Sequence, residues 1–166
     1  MKVLTVLVPT YNVEKYLRRC LDSLLLPEVL EEIEVLVVND GSKDGSADIA
    51  RAYEKKYPQT VVFVDKENGG HGSTINVGIE KAQGTYFKVL DSDDWVNIGD
   101  FIEFVKRLKE ETADAVICDY RKEHVYNGKS EYFEYKDLED GKKYNLNEID
   151  LNILHGEYFM MATTTY

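Results

Sequence analysis

The chain has 166 residues, enough for one domain with a sizeable core, and 43% of them are apolar. Its 31 acidic against 20 basic residues give a net charge of −11, which argues against non-specific nucleic-acid binding through phosphate neutralisation. No apolar run nears the roughly 18 residues of a membrane span, the start lacks a signal-peptide pattern, and Cys20 and Cys118 show neither metal spacing nor a disulfide framework. The default expectation is a cytoplasmic protein with both thiols reduced and in the core.

Residues 3–8 form a nearly continuous apolar run closed by Pro9, the pattern of a strand buried on both faces. The period changes at Val13: Val13, Tyr16, Leu17, Cys20, Leu21, Leu24 and Leu25 fall on one stripe of a helix, with Asn12 as its cap and Pro27 just beyond. Residues 33–38 make a second buried strand ending at Asn39-Asp40-Gly41-Ser42. A helix over 47–57 is opened by Ser46 and stopped before Pro58. Residues 60–64 are a third strand, running into the glycine-rich stretch Glu67-Asn68-Gly69-Gly70-His71-Gly72-Ser73. A helix over 74–82 ends at Gly84. Residues 85–90 then form a strand that leads to Asp91-Ser92-Asp93-Asp94. Phe101, Phe104, Val105 and Leu108 mark a further helix, and residues 113–118 a last strand.

Alternating strands and helices with short links predict an α/β fold: a Rossmann-like, mostly parallel sheet with helices on both faces. In such a sheet ligands sit outside the carboxyl ends of the strands, where the strand order reverses. The segments at those ends are Pro9-Thr10-Tyr11-Asn12, Asp40-Gly41-Ser42, Asn68-Gly69-Gly70-His71-Gly72 and Asp91-Ser92-Asp93-Asp94. Each is rich in ligand-binding groups, and all four should share one edge. Past Tyr120 the chain turns polar and tyrosine-rich, and residues 130–135 read as a half-exposed strand or hairpin. The division expected is 1–120 for the α/β domain and 121–166 for a second region. Residues 160–166 stop in mid-strand by their composition, as a piece of a longer protein would.

Three carboxylates within four residues at 91–94 repel one another and call for a counter-charge. Oxygen ligands of this kind suit a hard divalent cation such as Mg²⁺ or Mn²⁺, which commonly shares its shell with substrate phosphates. The plainer reading is an acidic turn that caps the following helix. Tyr11 has a plain reading too, as a ring packed under the sheet edge, and Asp40 as an Asp-Gly turn residue.

The four strand-end motifs, in this order and spacing over roughly residues 1–120, resemble the signatures of family 2 glycosyltransferases. The resemblance implies the GT-A fold and inverting transfer of a sugar from a nucleotide-sugar donor, expected to be a UDP-sugar, to a saccharide or lipid-linked acceptor. It implies that Pro9 and Tyr11 hold the base, that Glu14 reaches the ribose, and that Asp40 accepts a hydrogen bond from the base imide N–H. It also implies that Asp93 ligates Mn²⁺ or Mg²⁺. Asp91 would then meet the ribose or a metal-bound water, and Asp94 the donor sugar or the next helix. Polysaccharide biosynthesis at the inner face of the membrane, with peripheral association, belongs to the same expectation; nothing indicates the oligomeric state.

Two departures stand out. Where many relatives carry an Arg, this chain has Ile75-Asn76, leaving His71 and its flanking glycines as candidates for phosphate or sugar contact. Lys66 and Lys88 are further basic candidates for the same contact, with solvated surface as the preferred reading. The general base that deprotonates an acceptor hydroxyl is expected beyond Tyr166. Asp119 and Glu123 come too early in the pattern, and Glu157 sits where no alignment is clear. The expectation is a chain that binds donor and transfers poorly. A nucleotidyltransferase would open with a Gly-rich loop and a basic residue instead of Pro9-Thr10-Tyr11-Asn12, and a dehydrogenase would carry G-x-G-x-x-G after the first strand. A non-catalytic nucleotide-sugar-binding module is the remaining alternative.

Overall fold

The structure, a computed structural model, describes residues 1–124, 126–136, 138–145 and 164–166. It divides into two units, residues 1–112 with Tyr166 and residues 113–165. The division falls ahead of the composition change at Tyr120.

The first unit alternates strand and helix: β1 (Leu4–Thr10), α1 (Leu17–Leu24), β2 (Ile33–Asp40), α2 (Ser46–Lys56), β3 (Val61–Lys66), α3 (His71–Lys81), β4 (Tyr86–Val89) and α4 (Ile98–Leu108). Every residue of β1 and β2 is buried, which is why their sequences are apolar almost without a break. Pairing is parallel throughout, in the order β3-β2-β1-β4. The register sets Thr10 beside Asn39 and Asp40 beside Lys66, while Leu90 N–H donates to Leu7 O at 2.9 Å. The carboxyl ends of all four strands therefore lie along one edge.

From β1 to β3 the chain steps in one direction, then α3 carries it back across the sheet to β4. With right-handed crossovers that reversal puts α3 on the opposite face from α1 and α2. Ile75 and Val77 of α3 pack on Leu7, Leu36, Val38 and Val89. Gly78 lets the helix come close, since a Cβ there would sit 2.7 Å from Leu7 Cδ2. Leu17, Cys20, Leu21 and Leu24 of α1 are fully buried, and α1 packs with α2 and α4.

Several boundaries differ from the sequence expectation. The α1 stripe starts at Leu17, not Val13. Asn12 does not cap it: its φ is 53°, and its Oδ1 instead accepts the Lys43 N–H at 2.7 Å. Ser46 is not the cap of α2 either; its buried hydroxyl accepts the Val13 N–H at 2.9 Å, and Asp44 Oδ1 takes the Ser46 N–H at 3.0 Å. Helix α3 opens at His71, three residues early, because Gly70 adopts a φ of 83° that turns the chain into the helix. Cys20 is buried, but Cys118 is only half-buried.

The second unit contains β5 (Val116–Ile117), shorter than the run of 113–118 suggested, paired antiparallel with β8 (Thr164–Thr165). Its hairpin joins β6 (Tyr120–His124) to β7 (Lys129–Phe133). Tyr120 and Phe133, directly opposite, stack with centroids 4.6 Å apart, and Tyr132 is 60% exposed. The strand or hairpin expected over 130–135 is thus present as β7, over Lys129–Phe133, the second strand of a hairpin that begins at Tyr120. No helix among the described residues is long and apolar enough to cross a membrane.

The turn into β4 depends on a missing side chain. A Cβ on Gly84 would collide with Thr5 N and lie 2.7 Å from the Leu4 carbonyl carbon. There Gly84 N–H also donates to Thr5 Oγ1 at 2.8 Å. Gly84→Ala should destabilise the chain by about 3 kcal/mol, the upper end of overpacking costs. Gly72→Ala, with nothing within 4 Å of the added carbon, should leave the urea midpoint unchanged or slightly raised.

Candidate functional site

Parallel strands deliver four segments to one rim, and hydrogen bonds between those segments set their shape. Tyr11 follows β1 with 50% of its surface exposed, more than a ring tucked under the sheet edge would show; Pro9, within β1, is buried. The segment is tied to the β2 end by a chain of contacts. Asn12 N–H donates to Ser42 Oγ at 3.0 Å, Ser42 Oγ–H donates to Asn39 Oδ1 at 2.5 Å, and Asn39 Nδ2 donates to Asp65 Oδ1 at 2.7 Å. Arg51 closes the chain by donating to Asp65 Oδ2 at 2.7 Å. Glu14 belongs to the same seam: its Oε2 accepts the Gly45 N–H at 2.7 Å, and its own N–H donates to Asp44 Oδ2 at 3.1 Å. A depression of about 470 Å³ lined by Glu14, Lys15, Arg18, Gly45, Asp48 and Ile49 lies beside α1 and α2 and not over the acidic loop.

Asp40 is 3% exposed and sits in a cage of donors. Oδ1 accepts from Lys66 Nζ and from the Gly69 N–H (2.9 Å), and Oδ2 from the Gly70 N–H (2.8 Å). Burial by itself would push its carboxyl up. The Lys66 ammonium, then the Gly69 and Gly70 amides, outweigh that and hold it below the usual carboxylate range. Asn68 Nδ2 adds a bond to Asp40 O at 3.0 Å, so the glycine loop is folded around this one residue. Lys66 is therefore a partner of Asp40 and not the solvated lysine expected from sequence. Lys88 is not solvated either: it is 7% exposed on β4, in register with Val6 of β1 inside the sheet.

His71 is exposed at the first turn of α3, and Ile75, standing where many relatives carry Arg, packs onto the core. The acidic loop and the two residues after it lie against α1. Cys20 Sγ is 3.8 Å from Asp91 O, Ser23 Oγ accepts the Val96 N–H at 3.2 Å, and the Arg19 guanidinium lies 3.2 Å from the centre of the Trp95 ring. Asp94 N–H donates to Asp91 O at 2.9 Å, closing the turn. Among the described residues none of the Asp91, Asp93 and Asp94 carboxylates meets a cation or a hydrogen-bond donor. Partial burial, then the charges of Asp93 and Asp91, push the Asp94 carboxyl up. Burial, followed by the same three aspartates, raises the Cys20 thiol. The carboxylates are not spent on capping, because the cap of α4 is Asn97, whose side chain accepts from Gly99 N and Asp100 N. Among the described residues no three His, Cys, Asp or Glu side chains converge into a closed metal cage.

Asp119 and Glu123 are occupied within the second unit: Asp119 accepts from Tyr132 Oη and the Tyr135 N–H, and Glu123 from Ser130 Oγ and Arg121. Glu157 lies outside the described residues. Sequence reasoning named Lys66 only as a basic candidate, with a solvated reading preferred and no link to Asp40, and it missed Arg19 and Trp95. Register after β3 could have pointed to Lys66, but nothing local marks Arg19, whose partner is far along the chain.

A parallel sheet whose strand order reverses next to an Asp-x-Asp loop is the arrangement of GT-A glycosyltransferases. The structure of S. aureus TarS 1–349 in complex with UDP-GlcNAc matches with a TM-score of 0.60 and 33% identity over 70% of this chain and 34% of that one. The mannosyltransferase PcManGT from Pyrobaculum calidifontis, in complex with GDP-Man and Mn²⁺, matches with a TM-score of 0.60 and 28% identity over 69% of this chain and 34% of that one. EpsH of Bacillus subtilis is 41% identical over 126 residues, 76% of this chain and 36% of its own length. The chain belongs to glycosyl transferase family 2, whose family model matches residues 5–163. It spans about a third of the length of EpsH and of the two solved chains.

Asp40 links the site to acid stability. Its lowered carboxyl means the folded state gives up the proton more readily than the unfolded chain. The stabilisation is present above about pH 4, the ordinary carboxylate value, and is lost as pH falls through the folded value. Asp40→Asn leaves the Lys66 ammonium without its anion and should cost about 2 kcal/mol at pH 7, toward the low side for a broken buried pair because Lys66 reaches solvent. Urea melts of both proteins at pH 7 and pH 3 check this: the gap between them should narrow at the lower pH.

Proposed function

We propose that this chain is the donor-binding part of a glycosyltransferase that moves a sugar from a nucleoside diphosphate, of the uridine type, to an acceptor hydroxyl with inversion. The observation that carries the reading is the placement of the Tyr11 segment and the acidic loop on either side of the β1/β4 junction, the point where strand order reverses. Tyr11 offers an open ring for stacking on the base, Asp40 a carboxylate acceptor, and Glu14 an oxygen near the same seam for the ribose. Asp91, Asp93 and Asp94 stand where the diphosphate and sugar would follow. The solved relatives support the class of ligand, since both were captured with nucleotide-sugars.

The residues fit a divalent ion. All donors on the acidic loop are oxygens, and the Asp94 carboxyl is pushed up first by partial burial and then by the charges of Asp93 and Asp91, which a cation would offset. Asp93, exposed at the centre of the loop, would hold Mn²⁺ or Mg²⁺, and Asp91 would contact the ribose or an ion-bound water. When bound, the ion supplies Lewis-acid stabilisation of the departing diphosphate. Asp94 orients the donor sugar, and His71 with the first amides of α3 lies against the phosphates. The acceptor belongs to the saccharide or lipid-linked class, used at the inner face of the membrane, and a carboxylate general base would take its proton.

Calorimetric titration of UDP with and without Mn²⁺ tests the reading. UDP should bind in a Mn²⁺-dependent way and more tightly than ADP. Asp93→Asn should weaken the Mn²⁺-supported binding by about 100-fold, in line with the several kcal/mol that such an ion contributes. Equal affinity for UDP and ADP, or no effect of Mn²⁺, would discard it. Tyr11→Ala should weaken UDP by about tenfold, the worth of one base–aromatic stack, without altering the Mn²⁺ dependence.

A further inference from the structure

Lys66 has no hydrogen-bonding capacity to spare. An ammonium has three donors and no acceptor. In this chain they go to the Asp40 carboxylate, to Glu67 O at 2.6 Å and to Ser73 Oγ at 2.9 Å. Ser73 is held in turn, donating to Gly70 O at 2.7 Å. The arrangement is built around an absent side chain: a Cβ on Gly69 would sit 2.8 Å from Ser73 Oγ and 3.1 Å from Lys66 Nζ. A lysine held in this way is unavailable to a phosphate.

The consequence falls on Asp40. An ionised carboxylate offers about four acceptor positions, and three are filled: two on Oδ1 by Lys66 and Gly69, one on Oδ2 by Gly70. With its side chain only 4% exposed, water cannot stand in for Lys66. One position on Oδ2 is left, and every neighbour is a donor, so the group can present only an acceptor.

We infer that Lys66 is a positioning residue for nucleobase choice: by filling Oδ1 it locks Asp40 as an acceptor with one open position. The rim then takes bases that carry a ring N–H, such as uracil, over bases that present a bare ring nitrogen there, such as cytosine. The inference rests on the donor-binding reading above and adds to it the group that sets base selectivity. Ring N–H donation to Oδ2 completes the carboxylate. A cytosine nitrogen aimed at the same oxygen sets two lone pairs against each other.

The test compares UDP with CDP by calorimetry, Mn²⁺ present, on the wild-type chain, Lys66→Met and Lys66→Arg, with thermal melts of each. The wild type should prefer UDP. Lys66→Met should lose about tenfold in UDP affinity, the worth of a hydrogen bond involving a charged group, while CDP changes little, so that the preference collapses. Lys66→Arg should restore most of it. If Lys66→Met does not fold, Ser73→Ala removes one anchor and keeps the charge; it should reduce the UDP/CDP ratio by about threefold, a fraction of the same bond. An unchanged ratio in the variant, with both nucleotides weakened alike, would reduce Lys66 to a purely structural role and overturn the inference. A wild type that binds neither nucleotide, or both equally, overturns the donor-binding reading itself, and shows this before any variant is made.

Discussion

Parallel pairing of β1 with β2 and β4, and of β2 with β3, governs everything else in the first unit. Because all four strands point the same way, each strand-to-helix connection leaves from one edge, and residues separated by dozens of positions become neighbours. The reversal between β1 and β4 then opens a gap in that edge, with an aromatic segment on one side and an acidic loop on the other. An antiparallel version of the same strands would send alternate loops to opposite ends and leave Tyr11, Asp40 and Asp93 apart.

The rim is electrostatically divided. At the β2–β3 end the charges are matched: Asp40 with Lys66, Asp65 with Arg51. At the β4 end three aspartates stand together without a cation among the described residues, held against α1 by Ser23, Cys20 and the Arg19–Trp95 contact. Two basic side chains near the rim are held in contacts of their own: Lys66 is saturated and Arg19 lies on an indole. In a chain of net charge −11, the proposed binding of an anionic diphosphate calls for a counter-charge, which a metal ion and the amides that open α3 would supply. Charges are matched at one end of the rim and left unmatched at the other, which is the division the proposed base and cation sites would use.

Element order, the parallel class of sheet and the identity of the four rim segments were legible in the sequence, because buried strands and amphipathic helices write their burial as local periodicity. The same holds for β7, whose residues alternate as a strand or hairpin would. Helix starts were less legible. Asn12 and Ser46 look like caps by residue type, yet both side chains are drawn into the seam between the β1 and β2 segments, where they satisfy amides of the other segment. Ile75 was visible as a departure, but only packing shows that it faces the core.

What the residues alone determined was the fold class and which groups line one edge, since those follow from near-neighbour patterns of apolar, glycine and acidic residues. What only the tertiary structure decided was how those groups are paired. Asp40 meets Lys66 because parallel register sets the two opposite each other, Arg19 meets Trp95 because α1 underlies the acidic loop, and Asn97 caps α4 so that Asp94 stays uncommitted. Each pairing joins residues brought together by folding, and side-chain chemistry at one position carries no record of the partner that folding will bring to it.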